Sequence, residues 1–333
     1  MKNFSAKRIL IPCILIIIIV TLFTLNSIKN KPVTRTGFFF NTVISITVYG
    51  PGKEAVLDEA YALCNTYESM LSRTIEHSDI WKINHSNGTP VTVHTETANL
   101  VKTALYYCEK TNGAIDITLA PLSDLWDFSS DKPKKIPSKE AIQTCLKNVD
   151  YHALSVSGNS VTLSNPDAAI DLGFIAKGYI ADELKAFLEE KGIQKGIINL
   201  GGNVMTLGNK PDGSSYHIGI QKPFDVRNAS ITQVPVSDSS VVSSGIYERY
   251  FEENGKLYHH ILNPKTGYPY ENNLLGVTIL SKSSTEGDAL STTCFVLGLE
   301  DGMKLINSLP EAEAVFITSD YELHYSESFP VTE

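Results

Sequence analysis

The chain has 333 residues, 42% hydrophobic and 20% charged, enough for a large packed domain after a short N-terminal segment. Its formal charge of −9 argues against a nucleic-acid partner, which needs a basic footprint. The five cysteines lack metal-type spacing, and Cys64, Cys108 and Cys294 lie among apolar neighbours, a pattern of buried packing.

Lys2, Lys7 and Arg8 precede the run Ile9 to Leu25, which is apolar apart from Thr21 and Thr24. Its length sits at the lower limit for spanning a bilayer, so a transmembrane helix is expected, with residues 1–30 forming a cytoplasmic N-terminus and anchor. Leu25-Asn26-Ser27-Ile28 makes a poor cleavage site, and Cys13 lies near the start of the run, so an uncleaved anchor is favoured over a signal peptide or lipoprotein. Lys29, Lys31 and Arg35 nearly balance the cations before the segment, so charge alone orients it weakly.

Residues 31–333 form the globular part. Asn26 to Thr36 reads as a polar linker, and Thr42 to Tyr49 alternates as a β-branched strand. A helix from Lys53 to Ser72 follows, then a polar loop from Arg73 to Pro90 and a helix from Thr97 to Thr111. Gly113 to Pro137 is irregular, and short strands lie around Ala153 to Leu163. A helix from Ile175 to Lys191 precedes a strand from Gly196 to Leu200, stopped by Gly201-Gly202-Asn203. Further strands fit Tyr216 to Gln221, Ile231 to Val236, Tyr247 to Phe251, Lys256 to Leu262 and Leu274 to Leu280. Helices from Ser284 to Leu297 and Leu299 to Ser308, then strands near Ala314 to Ile317 and Leu323 to Tyr325, close the chain. Short turns such as Glu253-Asn254-Gly255 favour an α+β fold with mixed, largely antiparallel sheets and packed helices.

Three segments could carry chemistry, each with two readings. Asp171-Leu172-Gly173-Phe174-Ile175-Ala176-Lys177 sets a carboxylate, a glycine and a lysine around a helix start; it either receives an anion or merely caps the helix. Asp288, Ser291 and Thr292 share a helical face and offer hard oxygens to Mg²⁺, or Asp288 completes a cap with Thr285. His260 ends a strand before a Pro/Gly turn, either as an acid–base group or as a structural histidine. Gly201-Gly202 is a strand-ending turn or a close backbone approach to a ligand.

In this order, these segments resemble the ApbE family of FAD:protein FMN transferases. The likeness also covers Asn41-Thr42-Val43, Leu71-Ser72-Arg73 through Ser78-Asp79, Gly113 through Pro121 with Leu125-Trp126, Ser243-Ser244-Gly245 with Tyr247, and His260 through Gly267. It implies an α+β unit that transfers the FMN moiety of FAD to a threonine or serine hydroxyl of an extracytoplasmic acceptor protein, releasing AMP, with Mg²⁺ as cofactor. The catalytic domain would face outward from a single-pass membrane anchor. By the same resemblance the flavin nucleotide is held by Phe40, Thr74, Ala114, Ile115, Asp116, Asp171, Lys177 and Leu262. Asp288, Thr292, Ser291 and the carbonyl of Phe174 hold the metal, and His260 is the base. The chain departs from the family in having Phe40-Asn41 for a frequent Met-Gly, Phe174 for a small residue, and Ser291 where some members have Ala. The alternatives are an FAD pyrophosphatase, which gives FMN and AMP, and a non-catalytic surface flavin-binding protein.

Overall fold

The computed structural model describes residues 30–129, 132–226 and 229–330, together with residues 16–18 and 21. The expected anchor, Ile9 to Leu25, lies almost wholly outside the described residues. Among those described, no helix is long and apolar enough to cross a membrane.

The globular part opens with strands β1 (Pro32–Phe39) and β2 (Thr42–Tyr49) and helices α1 (Glu54–Leu71) and α2 (Asp79–Asn84). Strand β3 (Val91–Thr92) leads to α3 (Thr95–Lys110), α4 (Ala120–Trp126) and α5 (Lys139–Leu146). After β4 (Leu154–Ser157) and β5 (Ser160–Leu163) come α6 (Ala176–Glu190), β6 (Gly196–Leu200) and β7 (Asn203–Leu207). Two ribbons, β8 (Tyr216–Gln221) with β9 (Ser230–Val236) and β11 (Tyr250–Glu253) with β12 (Lys256–His259), flank β10 (Ser240–Gly245) in sequence. The chain ends with β13 (Leu274–Ser281), α7 (Ser284–Asn307), β14 (Ala312–Thr318) and β15 (Leu323–Tyr325).

Eight strands form the main sheet, in the order β1-β2-β6-β7-β10-β13-β14-β15. Strand pairings are antiparallel throughout the described residues, and an isolated bridge, Leu119 with Ala169, is parallel. The expected α+β class therefore holds. Ile44, Ile46 and Val48 of β2 turn inward against Leu57, Ala60 and Cys64 of α1, the period-2 pattern meeting a helical stripe. Helices α1 and α6 share that core, and α7 continues it over β13. The β8–β9 ribbon covers the opposite face, with Tyr216, Val234 and Val236 packed on Val241, Val315 and Ile317.

Several segments differ from the sequence reading. Part of the expected linker is edge strand β1, paired along its whole length with β2; a leading Pro32 is tolerated at an edge. The loops 73–90 and 113–137 each contain a short helix, α2 and α4. The expected pair of C-terminal helices is present, the two parts of α7 meeting at a break at Gly298 (φ 81°, ψ 178°) as the sequence reading places it.

Strand register collects the functional segments at one end of the sheet. Ile44 pairs with Leu200, Leu200 with Asn203, and Val204 with Val241. The β1–β2 turn at Phe40-Asn41, the Gly201-Gly202 turn and the Ser244-Gly245 end of β10 therefore share one rim. Phe40 and Asn41 both have left-handed φ (54° and 57°), the type I′ geometry that suits a tight hairpin. Because that conformation is unusual for a bulky residue, it is held: the Phe40 N–H donates to the Glu68 carboxylate at 2.6 Å.

Candidate active site

The starts of α6 and α7 meet beneath this rim. Gly178 lies so close to α7 that a Cβ there would stand 2.2 Å from the Ser284 carbonyl oxygen and 2.7 Å from Asp288 Cβ. Only glycine fits, and the contact lets the Gly178 N–H donate to Asp288 Oδ2 at 2.9 Å. Asp288 is 4% exposed, and its other oxygen stands 3.9 Å from Lys177 Nζ, an ion pair without a close hydrogen bond. Burial raises the Asp288 pKa, while Lys177 and the Gly178 amide oppose that rise. The capping alternative for Asp288 therefore fails. The N-cap of α7 is Ser283, whose hydroxyl accepts from Glu286 N, and Asp288 points at another helix.

Ser291 and Thr292 follow one turn later. The Ser291 hydroxyl donates back to the Asp288 carbonyl at 2.8 Å. Ser244, on the adjoining strand β10, has its hydroxyl 2.7 Å from that of Ser291 and 3.0 Å from that of Thr292. Ser291 is fully buried, whereas Thr292 is half-buried, so Thr292 is the more accessible hydroxyl of the pair. Ser244 had been part of a matched motif without a role; its partners come from a helix far along the chain.

His260 approaches from the β11–β12 ribbon. Its N–H donates to the Arg249 carbonyl at 3.1 Å, and ring Nδ1 lies 3.3 Å from the same oxygen. A carbonyl accepts only, so Nδ1 carries the proton and Nε2 keeps the lone pair. The ring is half-buried, and burial pushes its pKa down to about 3, helped by the nearby cations Arg249 and Lys177. At neutral pH the imidazole is uncharged and free to accept a proton. Neighbouring His259 has the structural role: its Nε2 donates to the Tyr270 carbonyl at 2.9 Å and its ring packs edge-on against Phe295.

Aromatic packing holds this ribbon in place. Trp126, 1% exposed, stacks on Phe128 and Tyr258 and donates its indole N–H to the Gly267 carbonyl at 2.8 Å. Leu262 sits in the same cluster, with Leu122 and Ile142, so its side chain is core.

The remaining predicted flavin contacts are carried by loops. The Asp171 amide donates to the Ile117 carbonyl at 2.8 Å, which sets the Gly113–Pro121 segment beside Asp171. The Ala114 carbonyl accepts from the Tyr270 hydroxyl at 2.8 Å, tying this segment to the His260 region. Ile115 N–H donates to the Thr111 hydroxyl. Asp116 is buried and accepts from Thr118 N, the Thr118 hydroxyl and Tyr151 N, so both its oxygens are engaged. Asp171 accepts from Gly173 N at 2.7 Å and pairs with Arg73 Nε at 2.9 Å; it does not cap α6, whose N-cap is Ile175. Arg73 grips Asp124 with two further bonds, of 2.9 and 2.6 Å. Thr74 is exposed beside Ser72, and Phe174 is half-buried with its ring edge-on to Tyr107.

Among the described residues, no three His, Cys, Asp or Glu side chains form a metal cage. The Asp288 group suits a different ion: one buried carboxylate with hydroxyls beside it is a hard-oxygen set, and Mg²⁺ takes few protein ligands and keeps water or phosphate oxygens. The partly compensated carboxylate fits such a cation.

Comparison with known proteins bears on this geometry. A family model described as the ApbE family matches residues 40–316. An FAD:protein FMN transferase of Klebsiella pneumoniae (strain 342) is 36% identical over 297 residues, 88% of this chain and 92% of that protein. One from Treponema pallidum (strain Nichols) is 32% identical, covering 90% of this chain and 88% of that protein. The crystal structure of the ApbE protein of Thermotoga maritima MSB8 superposes with a TM-score of 0.82 at 30% identity, covering 91% of this chain and all of that one. The flavin transferase ApbE of Vibrio cholerae gives a TM-score of 0.81 at 28% identity, covering 90% of this chain and 98% of that one.

Proposed function

The chain belongs to the ApbE family and is a flavin transferase acting on FAD and a protein; we propose that it moves FMN onto a threonine or serine hydroxyl of its acceptor with the help of Mg²⁺ and His260. The observation that carries this reading is the meeting of Lys177 and Asp288 where the starts of α6 and α7 touch, with His260 within electrostatic reach of Lys177. Lys177, a cation beside the unspent oxygen of Asp288, attracts a pyrophosphate.

A protein hydroxyl is a weak nucleophile near neutral pH and needs a base. The neutral Nε2 of His260 takes the hydroxyl proton as that oxygen attacks the phosphorus of the FMN half. The bond from this phosphorus to the bridging oxygen breaks, and AMP leaves with that oxygen. Asp288 and Thr292, together with Ser291 and the Phe174 carbonyl, would hold Mg²⁺, which would supply polarisation of phosphate oxygens. Burial, and after it Arg249 and Lys177, depress the His260 pKa; a bound pyrophosphate opposes the charge of the two cations and so raises it when substrate is present. On the flavin side we assign Phe40, Thr74, Ala114, Ile115, Asp116, Asp171 and Leu262. Asp116 and Leu262 support this side by shaping the backbone, since their side chains are engaged or packed in the core.

We read the chain as anchored by its N-terminal apolar run, with the catalytic domain outside the cytoplasm. A reporter fused after residue 333 that is active in the cytoplasm would overturn this orientation. The test of the reaction is incubation of the full chain in mild detergent with FAD, Mg²⁺ and a candidate acceptor, followed by a denaturing gel and an AMP assay. A fluorescent acceptor band with matching AMP is expected. AMP without a labelled acceptor points to hydrolysis of FAD, and binding without AMP rejects catalysis.

A further inference from the structure

Helix α6 carries a second carboxylate whose bonding the reaction does not explain. Asp182 lies four residues after Gly178, so both face α7 on the same side of α6. Its carboxylate accepts four hydrogen bonds, all from the start of α7: Ser284 N at 2.7 Å on Oδ1, and Ser283 Oγ at 2.8 Å, Thr285 N at 2.9 Å and Thr285 Oγ1 at 2.7 Å on Oδ2. Helix starts leave amides without partners inside the helix. Here two of them are satisfied by an acid from another helix, which also opposes the positive end of the dipole. The local cap is weaker, with Ser283 Oγ 3.3 Å from Glu286 N.

The arrangement is reciprocal. Asp182 of α6 receives the first amides of α7, and Asp288 of α7 receives the Gly178 amide of α6. Each helix start is closed by the other's carboxylate, and the Gly178 contact leaves no slack between them. Asp288 is one turn beyond Ser284, so fixing Ser284 and Thr285 fixes where Asp288 projects. One Asp288 oxygen is spent on Gly178, and the direction of the other is set by this clamp.

We propose that Asp182 is a positioning residue for the cation site: by capping α7 from α6 it aims the free oxygen of Asp288, and its loss weakens divalent-cation binding without weakening FAD binding. This rests on the assignment of Asp288 to the cation. Asp182 touches neither cation nor substrate in this role. Outer partners of this kind change metal affinity by about 10- to 100-fold when removed.

The experiment uses the full chain in detergent, with Mn²⁺ as the probe ion read by electron paramagnetic resonance and FAD affinity read separately, without divalent cation, by flavin fluorescence. Asp182→Asn keeps the side-chain shape but removes one acceptor and the charge; it should bind Mn²⁺ at least about 10-fold more weakly with unchanged FAD affinity. Excess Mg²⁺ should restore its transfer rate. A Ser283→Ala/Thr285→Ala chain removes two donors from the opposite side and should show a smaller loss in the same direction; it serves equally if Asp182→Asn does not fold. Undiminished Mn²⁺ affinity in a folded variant overturns the inference, as does a parallel loss of FAD affinity. An Asp288→Ala chain that binds Mn²⁺ as well as the unaltered chain instead sinks the cation assignment itself.

Discussion

The site has two halves built on different plans. On the helix side, Lys177 projects from the first turn of α6 and Asp288 and Thr292 from the N-terminal half of α7, and the second oxygen of Asp288 makes no close hydrogen bond. On the loop side, Asp116, Asp171 and the neighbouring Asp79 spend their carboxylates on internal bonds, to Thr118 and Tyr151, to Arg73 and Gly173, and to His94 and Thr97. The difference separates chemistry from shape. Under the proposed roles, groups that would meet a cation are held by few bonds and left open, whereas groups that would define a cleft wall are closed into internal bonds.

The contrast can be broken most directly at Asp288. Its replacement by Ala should lower AMP release and transfer by about 10²-fold or more at fixed Mg²⁺, since stabilisation of developing phosphate charge is lost. A rate within a few-fold of the unaltered chain would show that the open oxygen is idle. His260→Ala should cost about 10²-fold in the same assay while FAD affinity, measured by fluorescence, stays the same. A fall in FAD binding instead would move His260 to the cleft wall.

Gly178→Ala probes how tightly the helix starts are joined. The new Cβ meets backbone rather than a yielding side-chain tip, so unfolding in denaturant should show a loss of about 1–3 kcal/mol or more. The smallest effect belongs to the loop side, and it depends on pH. Hydrogen bonds from His94 and Thr97 outweigh burial and hold the Asp79 pKa below its ordinary value of 3.8. Its stabilising contribution is therefore complete above that value and is lost as pH falls through the lower folded value. Asp79→Asn should then destabilise more at pH 7 than under strongly acid conditions. A pH-independent difference, followed by thermal unfolding, would mean that charge plays no part there.

Much of this organisation was legible in the sequence. The alternation of β2, the ends of β6 and β8, the Asn254-Gly255 turn and the break between the last two helices follow local patterns. Strand β7 was missed because a central strand buried on both faces shows no alternation, and all five of its residues are buried. Helix α4 was hidden by Pro121, which is harmless in the first turn of a helix. The segments Ile170–Tyr179 and Asp288–Thr292 were identifiable separately, but their meeting was not. Asp182 looked like any acid on a helix surface, and its partners lie about a hundred positions onward, 102 for Ser284 N. Only its spacing of four from Gly178 marked a shared face.

The exchanged caps have a consequence for how the protein is made. The two pairings span 102 and 110 positions, so neither helix start is complete until the segment near Ser284 has been synthesised and has closed back over α6. A chain ending before that point leaves the Gly178 amide without its Asp288 acceptor. Both caps therefore require the segment from Ser283 to Asp288 to be in place against α6.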